Sequence, residues 1–271
     1  MRTCAAVPIT TDVRKRQMNS NQATIQKLEK MGLWGMMRAL KESMEAGTKA
    51  DFTPDELVAR LVDVEWDERQ GRKLTRLLKS ARLRYRAGLE DLDFSLRRNL
   101  EKNQFMRLGD CRWIDERQDL ILTGPCGCGK SFLASVLAQQ ACIHGYSVCY
   151  WPAGKLFEQM KLCKADGTYL RELAKITRKR LFVVDDFGLE VLDTASRLIL
   201  LEILEDRHGR ASSLFSSQLP VSQWHQAIGD PTIADAICDR IVHTAHRIEL
   251  KGESVRKLYA NRDGEGKKKQ E

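Results

Sequence analysis

Eight consecutive residues near the middle of the chain have the types and spacing of a phosphate-binding loop. They read Gly124-Pro125-Cys126-Gly127-Cys128-Gly129-Lys130-Ser131, between an apolar run and an amphipathic one. The glycines allow backbone N–H groups to point at phosphate oxygens, and a following helix adds its positive N-terminus. We expect Lys130 to reach the β- and γ-phosphates of ATP and Ser131 to place its hydroxyl on Mg²⁺.

Two adjacent carboxylates, Asp185 and Asp186, follow the apolar run 181–184 further along the chain. This is the pattern of a buried strand that ends in acidic residues. We expect Asp185 to bind the Mg²⁺ shell and Asp186 to orient or deprotonate an attacking water, because that role needs a carboxylate within hydrogen-bond reach. The alternative is an ordinary polar exit from a strand into a loop.

The elements that must position these residues alternate along the chain after residue 110. Short β-rich runs alternate with helical periodicity, which predicts an α/β fold with a parallel sheet flanked by helices. Strands are expected at 120–123, 147–151, 181–184, 213–216 and 247–250, and helices at about 130–144, 153–162, 168–179, 194–207, 221–228 and 232–244.

Before residue 110 the periodicity is helical and no strand is indicated. One helix is expected from Ile25 to Gly47, with a break near Gly32. A second should begin at Thr53-Pro54-Asp55-Glu56, a capping box with proline at the first helical position. The predicted organisation is therefore a disordered tail at 1–20, a small all-helical domain at 21–109, an α/β domain at 110–258 and a disordered basic tail at 259–271.

Composition restricts the class of protein. The formal net charge of +8 suits a polyanionic partner and is also common on ordinary surfaces. The eight cysteines form no paired C-x-x-C framework that could hold zinc. No run has signal-peptide length or the roughly 18 apolar residues of a membrane span, so we expect a cytoplasmic protein without a membrane partner.

Two cationic segments, 72–86 and 161–180, could neutralise nucleic-acid phosphates, or could be ordinary solvated faces. The candidate contacts are Arg72, Lys73, Arg76, Lys79, Lys161, Lys164, Arg171 and Lys175. Neither segment carries a zinc finger or a clear helix-turn-helix. We therefore expect contacts with duplex DNA that depend on the backbone and on DNA shape, with little sequence specificity.

Further motifs, together with the phosphate loop and the two carboxylates, resemble the IstB-like branch of the AAA+ ATPases. They are Trp113-Ile114-Asp115-Glu116-Arg117-Gln118, Ser217-Gln218-Leu219-Pro220, Gly229-Asp230-Pro231-Thr232-Ile233-Ala234-Asp235-Ala236-Ile237 and Lys251-Gly252-Glu253-Ser254. The resemblance covers about residues 22–257. It implies a P-loop AAA+ core and an ATP-hydrolysing helper that assembles as a homo-oligomer on DNA and acts with a cognate transposase.

The resemblance also implies roles for single residues. Ser217, with Ser216, takes the place of a polar sensor, and Arg240 takes the place of an arginine finger offered to the ATP of a neighbouring subunit. Too few residues follow Arg240 for a C-terminal lid domain, so Arg256 is the candidate for a second sensor. The AAA+ class prefers Glu at the position of Asp186, which suggests slow hydrolysis.

Several alternatives stay open at this point. A DnaC-like replicative helicase loader would share the same core. A phosphotransfer enzyme would use the loop for a small acceptor, and a DNA-binding switch would not hydrolyse ATP. Trp113 and Ile114 either pack on adenine or seal the edge of the sheet.

Overall fold

The computed structural model describes residues 21–45, 53–243, 245–252 and 254–255. The tails expected at 1–20 and 259–271, the helix end at Gly47 and the candidate sensor Arg256 lie outside these residues. None of the helices in the described ranges combines the length and apolar composition needed to cross a bilayer.

The chain divides into two compact units, Met1–Thr75 and Arg76–Glu271. The division comes well before the boundary expected at 109. Residues 76–109 belong to the unit that contains the sheet, and hydrogen bonds join residues 98 and 99 to its last strand and to the chain just after it. Lys251 N–H donates to Arg98 O at 3.1 Å, and the Asn99 amide donates to Glu249 O at 2.9 Å.

Helices build the first unit. Residues 21–30 form α1, which is followed by α2 (Trp34–Glu45) and α3 (Pro54–Ala81), and α3 continues into the second unit. The break near Gly32 is present, with that residue at φ 70°. The capping box also forms: Glu56 N–H donates to Thr53 Oγ1 at 3.3 Å, and Thr53 N–H donates to Glu56 Oε2 at 2.7 Å.

The buried carboxylate of Glu65 joins α2 to α3. It accepts the backbone N–H groups of Gly35 at 2.8 Å and Met36 at 3.3 Å, at the start of α2. A negative charge there offsets the positive end of the helix dipole. A Cβ at Gly35 would lie 2.7 Å from Glu65 Cα, so the two helices cross at a distance that only glycine permits.

A five-stranded parallel sheet forms the centre of the second unit, in the order β2-β3-β4-β1-β5. Each strand expected from the sequence is present, and the parallel arrangement is confirmed. The bounds are β1 Leu120–Thr123, β2 Val148–Pro152, β3 Leu181–Phe187, β4 Ser212–Ser217 and β5 His246–Glu249. β3 runs further than expected, through both carboxylates.

Helices cover this sheet. Their bounds are α4 Lys102–Gly109, α5 Arg112–Asp115, α6 Lys130–Ile143, α7 Ala153–Ala165, α8 Tyr169–Thr177, α9 Thr194–Arg207, α10 Trp224–Ile228 and α11 Pro231–Val242. Aspartate caps start two of them: Asp193 accepts Ser196 N–H at 2.8 Å before α9, and Asp230 accepts Ile233 N–H at 2.9 Å before α11. The expected helix at 221–228 begins with a short 3-10 turn.

The core lies between β3 and β4 on one side and α7, α9, α10 and α11 on the other. Trp224 is its largest fully buried side chain, and its ring packs edge-on against Phe187, with the centroids 4.9 Å apart. Phe187 comes directly after Asp186. The carboxylates of Asp185 and Asp186 therefore lie directly beside the apolar core.

Arg207 and Asp119 are among the ionisable side chains that are buried in the second unit. Arg207 donates to backbone carbonyls, among them Lys179 O at 2.7 Å, which ties the start of β3 to α9. Asp119, before β1, accepts Ser213 N–H at 2.6 Å. Burial raises the pKa of Asp119 to about 7, although this hydrogen bond and the charge of Arg207 act in the opposite direction.

The raised pKa of Asp119 predicts a pH-dependent stability. Below its ordinary pKa of 3.8 the carboxyl is protonated in both the folded and the unfolded chain. At higher pH it ionises first in the unfolded chain, so the free energy of unfolding falls as the pH rises to about 7. Asp119→Asn should therefore unfold like the wild type near pH 4 and be more stable above pH 7, by up to about 4 kcal/mol. Urea unfolding across this range measures the difference. Glu158→Gln, an exposed change, is the control, and a pH-independent difference would contradict the prediction.

Candidate nucleotide-binding site

The phosphate loop joins the end of β1 to the start of α6, as expected. Its glycines have positive φ, 144° at Gly124 and 84° at Gly127. The chain after β5 lies directly against them: a Cβ at Gly124 would be 2.5 Å from Leu250 O, and one at Gly127 would collide with the side chain of Ser254. Val255 N–H donates to Gly127 O at 3.0 Å. The loop therefore needs glycine because of this neighbour as well as for phosphate.

Lys130 begins α6 and is buried in the loop. Its Nζ donates to Gly124 O at 2.7 Å and to Pro125 O at 2.9 Å. Cys128 is also buried and its Sγ lies 3.9 Å from the same ammonium, whereas Cys126 is exposed. The positive charge is thus held at the centre of the loop, where phosphate oxygens would gather.

Asp185 and Ser131, the two side chains expected to hold Mg²⁺, are in direct contact. Ser131 Oγ donates to Asp185 Oδ1 at 2.9 Å. The Asp185 carboxylate is fully buried, and it also accepts short hydrogen bonds from the hydroxyls of Tyr150 and Ser216. Burial, followed by the Asp185 charge, raises the pKa of Tyr150, so the phenol keeps the proton that it donates.

A β-bulge turns Asp186 toward the same side as Asp185. Val184 pairs with Phe215 and Phe187 with Ser217, so both aspartates lie opposite a single β4 residue. Successive residues of a regular strand point to opposite faces. The extra residue changes this, and Asp186 takes a left-handed backbone conformation at φ 58°, which aspartate tolerates better than most residues.

Arg84 contacts both carboxylates. Its Nη1 donates to Asp185 Oδ2 at 2.9 Å and to Asp186 Oδ2 at 2.8 Å, and it lies 3.4 Å from Ser131 Oγ. These bonds, foremost the one to Asp186, raise the pKa of the guanidinium, so it stays charged. Within the cationic segment 72–86, Arg84 is therefore a site residue and is not part of a nucleic-acid face.

The oxygen atoms around Arg84 fit a divalent cation. Ser131, Asp185 and Asp186 each place a hard oxygen atom within 3.4 Å of Arg84 Nη1, so a positive group already lies among them. Mg²⁺ prefers such oxygens and is commonly held by one or two carboxylates together with phosphates and waters. In the described part of the chain, no cluster of three or more His, Cys, Asp or Glu side chains is suited to a metal.

A pocket of ≈ 300 Å³ opens beside the loop. Tyr85 and Phe132 give it an aromatic wall, with ring centroids 5.9 Å apart, and Leu96 and Val255 add apolar surface. Such a wall can accept a nucleoside base.

Trp113 and Ile114 do not line this pocket. Trp113 is 3% and Ile114 0% exposed, and the indole N–H of Trp113 donates to Leu108 O at 3.0 Å. Of the two alternatives left open by the sequence, the structure does not support packing on adenine, because both side chains are buried away from this pocket.

Arg98 is a site residue that the sequence did not suggest. It is only 4% exposed, lines the pocket, and its Nη1 would lie 3.0 Å from a Cβ at Gly129. A guanidinium at this place can bind phosphate oxygens. Its position depends on hydrogen bonds that join residues 98 and 99 to Lys251 and Glu249. No local sequence pattern indicates these long-range contacts.

Ser216, and not Ser217, faces the carboxylates. Besides its bond to Asp185, Ser216 Oγ accepts the N–H of Asp186 at 3.2 Å. Ser217 Oγ instead donates to Phe187 O at 2.7 Å and accepts Leu219 N–H at 3.1 Å. Neighbouring β4 side chains point to opposite faces, so the structure does not bring Ser217 into the site.

Arg240 is in an intrachain ion pair. Its Nη2 lies 2.7 Å from Glu205 Oε1, and its Nη1 donates to Ala236 O at 2.7 Å. It shares a pocket with Asp119, which precedes β1, whereas the phosphate loop follows β1. Arg240 thus lies toward the opposite end of the strands from the loop of its own chain.

The cationic candidates on α3 are mostly solvent-exposed. Lys73, Arg76 and Lys79 are exposed, and Arg72 is half-buried, with its Nη2 3.4 Å from Glu65.

The candidates on α7 and α8 have more intrachain contacts. Lys161 pairs with Asp193 at 2.7 Å, Lys175 pairs with Glu172 at 2.7 Å, and Lys164 lies 4.5 Å above the ring of Tyr169. Arg171 is exposed on the same helix as Lys175. Surface pairs of this kind are weak, so these cations stay available to a stronger anion.

Solved structures share the fold of this chain over 61% and 64% of its length. A crystal structure of DnaI matches with a TM-score of 0.50 and 22% identity, over 61% of this chain and 92% of that chain. A structure of the replication initiator DnaA bound to AMPPCP and single-stranded DNA matches with a TM-score of 0.51 and 14% identity, over 64% and 52%. The chain therefore shares the fold of these proteins, a parallel sheet flanked by helices, and a helical N-terminal region precedes it.

Sequence comparisons show the family. The family described as IstB-like ATP binding protein matches residues 26–262. An insertion sequence ATP-binding protein of Sinorhizobium fredii is 45% identical over 86% of this chain and 96% of its own. The ATP-binding protein of insertion sequence IS1162 from Pseudomonas fluorescens is 38% identical over 74% and 87%. This chain belongs to the family of IstB-like ATP-binding proteins.

Proposed function

We propose that this protein binds ATP with Mg²⁺, assembles on duplex DNA as a homo-oligomer, and acts as the ATP-dependent helper of an insertion-sequence transposase. The observation that carries the proposal is the convergence of Ser131, Asp185 and Asp186 beside the phosphate loop. ATP would be hydrolysed to ADP and phosphate in this site.

Residues of this chain have distinct tasks in the proposed hydrolysis. Lys130 and Arg98 bind phosphate oxygens, and Ser131 and Asp185 hold Mg²⁺. The ion would neutralise charge that develops on the phosphates. Asp186, whose carboxylate is partly exposed and lines the pocket, orients the attacking water. Ser216 keeps the Asp186 backbone in place through the bond to its N–H.

The names of the relatives support a transposition helper over a helicase loader. They are insertion sequence ATP-binding proteins and match most of this chain. The likeness to DnaI concerns the fold alone. A phosphotransfer enzyme is less well supported because it would have no use for the exposed cations of α3, α7 and α8.

DNA binding is proposed from charge. The net charge is +8, and both cationic segments present exposed Lys or Arg side chains. Contacts with the phosphate backbone release counterions, so binding should weaken steeply as salt is added.

Assembly is proposed to depend on Arg240. In an oligomer the side chain would leave Glu205 and approach the ATP of a neighbouring subunit. The ion pair with Glu205 is half-exposed and therefore weak enough to exchange. A guanidinium stabilises the charge that develops during phosphoryl transfer.

Lys130→Ala tests the role of ATP. The variant should lose ATP binding and, with it, any ATP-dependent increase in duplex DNA binding, because the loop loses its central charge. Filter binding with a salt titration, with and without ATP, measures both effects. Lys41→Ala, an exposed lysine of α2, is the control. The mechanism is wrong if ATP does not promote DNA binding by the wild type, or if Lys130→Ala binds equally well.

Asp186→Asn tests hydrolysis. Asn tolerates the left-handed backbone at this position as Asp does, so the fold should be kept. Phosphate release should fall by about 10²- to 10⁴-fold, while ATP binding persists. Glu190→Gln is the nearby exposed control. An unchanged rate of phosphate release would favour the switch that does not hydrolyse ATP, whereas turnover stimulated by duplex DNA would exclude the phosphotransfer enzyme.

Arg240→Ala tests whether Arg240 acts as an arginine finger. Turnover in the assembled state should fall by about 10³-fold or more, with ATP binding by the single chain retained. Glu205→Gln is the matched control because it breaks the same ion pair and leaves Arg240 in place. If the two variants lose turnover equally, Arg240 acts through the intrachain pair and the finger role is refuted. Sedimentation with ATP and duplex DNA measures assembly in parallel.

A further inference from the structure

The guanidinium of Arg84 lies where the magnesium ion of the proposed site would lie. One nitrogen, Nη1, is within 2.9 Å of an oxygen of each carboxylate and 3.4 Å from Ser131 Oγ. These three side chains supply the oxygen ligands of the site. Mg²⁺ requires its ligands at about 2.0–2.1 Å, and the same space cannot hold both the ion and a nitrogen at hydrogen-bond distance.

The charge of Arg84 explains how the carboxylates can stand together. Asp185 has no exposed side-chain area and Asp186 is 27% exposed. Two carboxylates that share one site repel each other strongly when no cation lies between them. Arg84 supplies that cation from within the chain.

Arg84 is held close to the site by its own segment. The neighbouring residue Tyr85 donates its N–H to Ser135 Oγ at 3.4 Å, and its ring packs on Phe132. Both partners belong to α6, the helix that follows the phosphate loop. α3 ends at Ala81, three residues before Arg84.

We propose that Arg84 is an internal competitor of Mg²⁺: it neutralises the two carboxylates in the magnesium-free protein and must leave them when Mg²⁺ enters with ATP. This inference rests on the proposed Mg·ATP binding and adds a residue that sets the magnesium requirement. It also connects the nucleotide state to the segment 82–88, which follows α3. An ion pair that served only the fold would not affect magnesium affinity.

The test compares the wild type with Arg84→Gln, Arg84→Lys and the matched control Arg86→Gln, an exposed change in the same segment. Binding of a fluorescent ATP analogue is titrated with Mg²⁺, and thermal unfolding is followed in EDTA and in excess Mg²⁺ without nucleotide. Neither readout depends on hydrolysis.

Arg84→Gln should reach half-maximal Mg²⁺-dependent binding at about tenfold lower Mg²⁺, equivalent to one decade in affinity. In EDTA its melting temperature should be lower than that of the wild type, because the carboxylates lose their cation, and Mg²⁺ should restore more of it than in the wild type. Arg84→Lys keeps the charge but makes fewer hydrogen bonds, so its Mg²⁺ midpoint should lie between those of the wild type and Arg84→Gln. Arg86→Gln should leave both readouts unchanged.

Other outcomes would contradict the inference or the proposed function. If the Mg²⁺ midpoint of Arg84→Gln equals that of Arg86→Gln, the contact is structural and the inference fails although the proposed function stands. If the wild type binds neither the analogue nor Mg²⁺, the proposed function itself fails. Should Arg84→Gln not fold, Arg84→Lys decides: a lower Mg²⁺ midpoint than that of the wild type supports competition, since an ammonium makes fewer hydrogen bonds, and an unchanged midpoint contradicts it.

Discussion

The carboxylate of Asp185 is completely buried, and a charge in that position is costly unless hydrogen-bond donors and an opposite charge surround it. The donors come from separate parts of the chain: Ser131 from the start of α6, Tyr150 from β2, Ser216 from β4 and Arg84 from the segment after α3. The hydrogen bonds that Asp185 accepts therefore fix the relative positions of β2, β4, the phosphate loop and the segment 82–88. The contacts that prepare the site for a cation also hold the second unit together at that edge of the sheet.

Much of this arrangement could be predicted because its causes are local. Buried parallel strands are short apolar runs, so β1 and β3 are visible in the sequence. Since the carboxyl ends of parallel strands lie at the same edge, Ser131 and Asp185 could be expected to meet. The start of α3 was also predictable, since the Thr53 and Glu56 side chains that cap it are three residues apart.

The remaining features depend on contacts between distant residues. The bulge in β3 follows from its register with β4, and a shift of one residue decides whether Ser216 or Ser217 faces the carboxylates. Arg84 belongs to a run of basic residues whose composition does not distinguish a side chain paired with the site carboxylates from one that is only solvated. Helical periodicity likewise indicates that 76–109 has helices but not which unit they pack against.

The backbone of Asp186 has a consequence for how this position can vary among related proteins. In the left-handed region most side chains cost about 1–2 kcal/mol, whereas Asp and Asn are accommodated more easily. A glutamate at this position would have a longer side chain but would bear that cost at φ 58°. The shorter acid is therefore the one compatible with the bulge. Exchange of Asp186 for glutamate would require a compensating change in the pairing of β3 with β4. The glutamate and a substitution among the residues that form this pairing should therefore be inherited together.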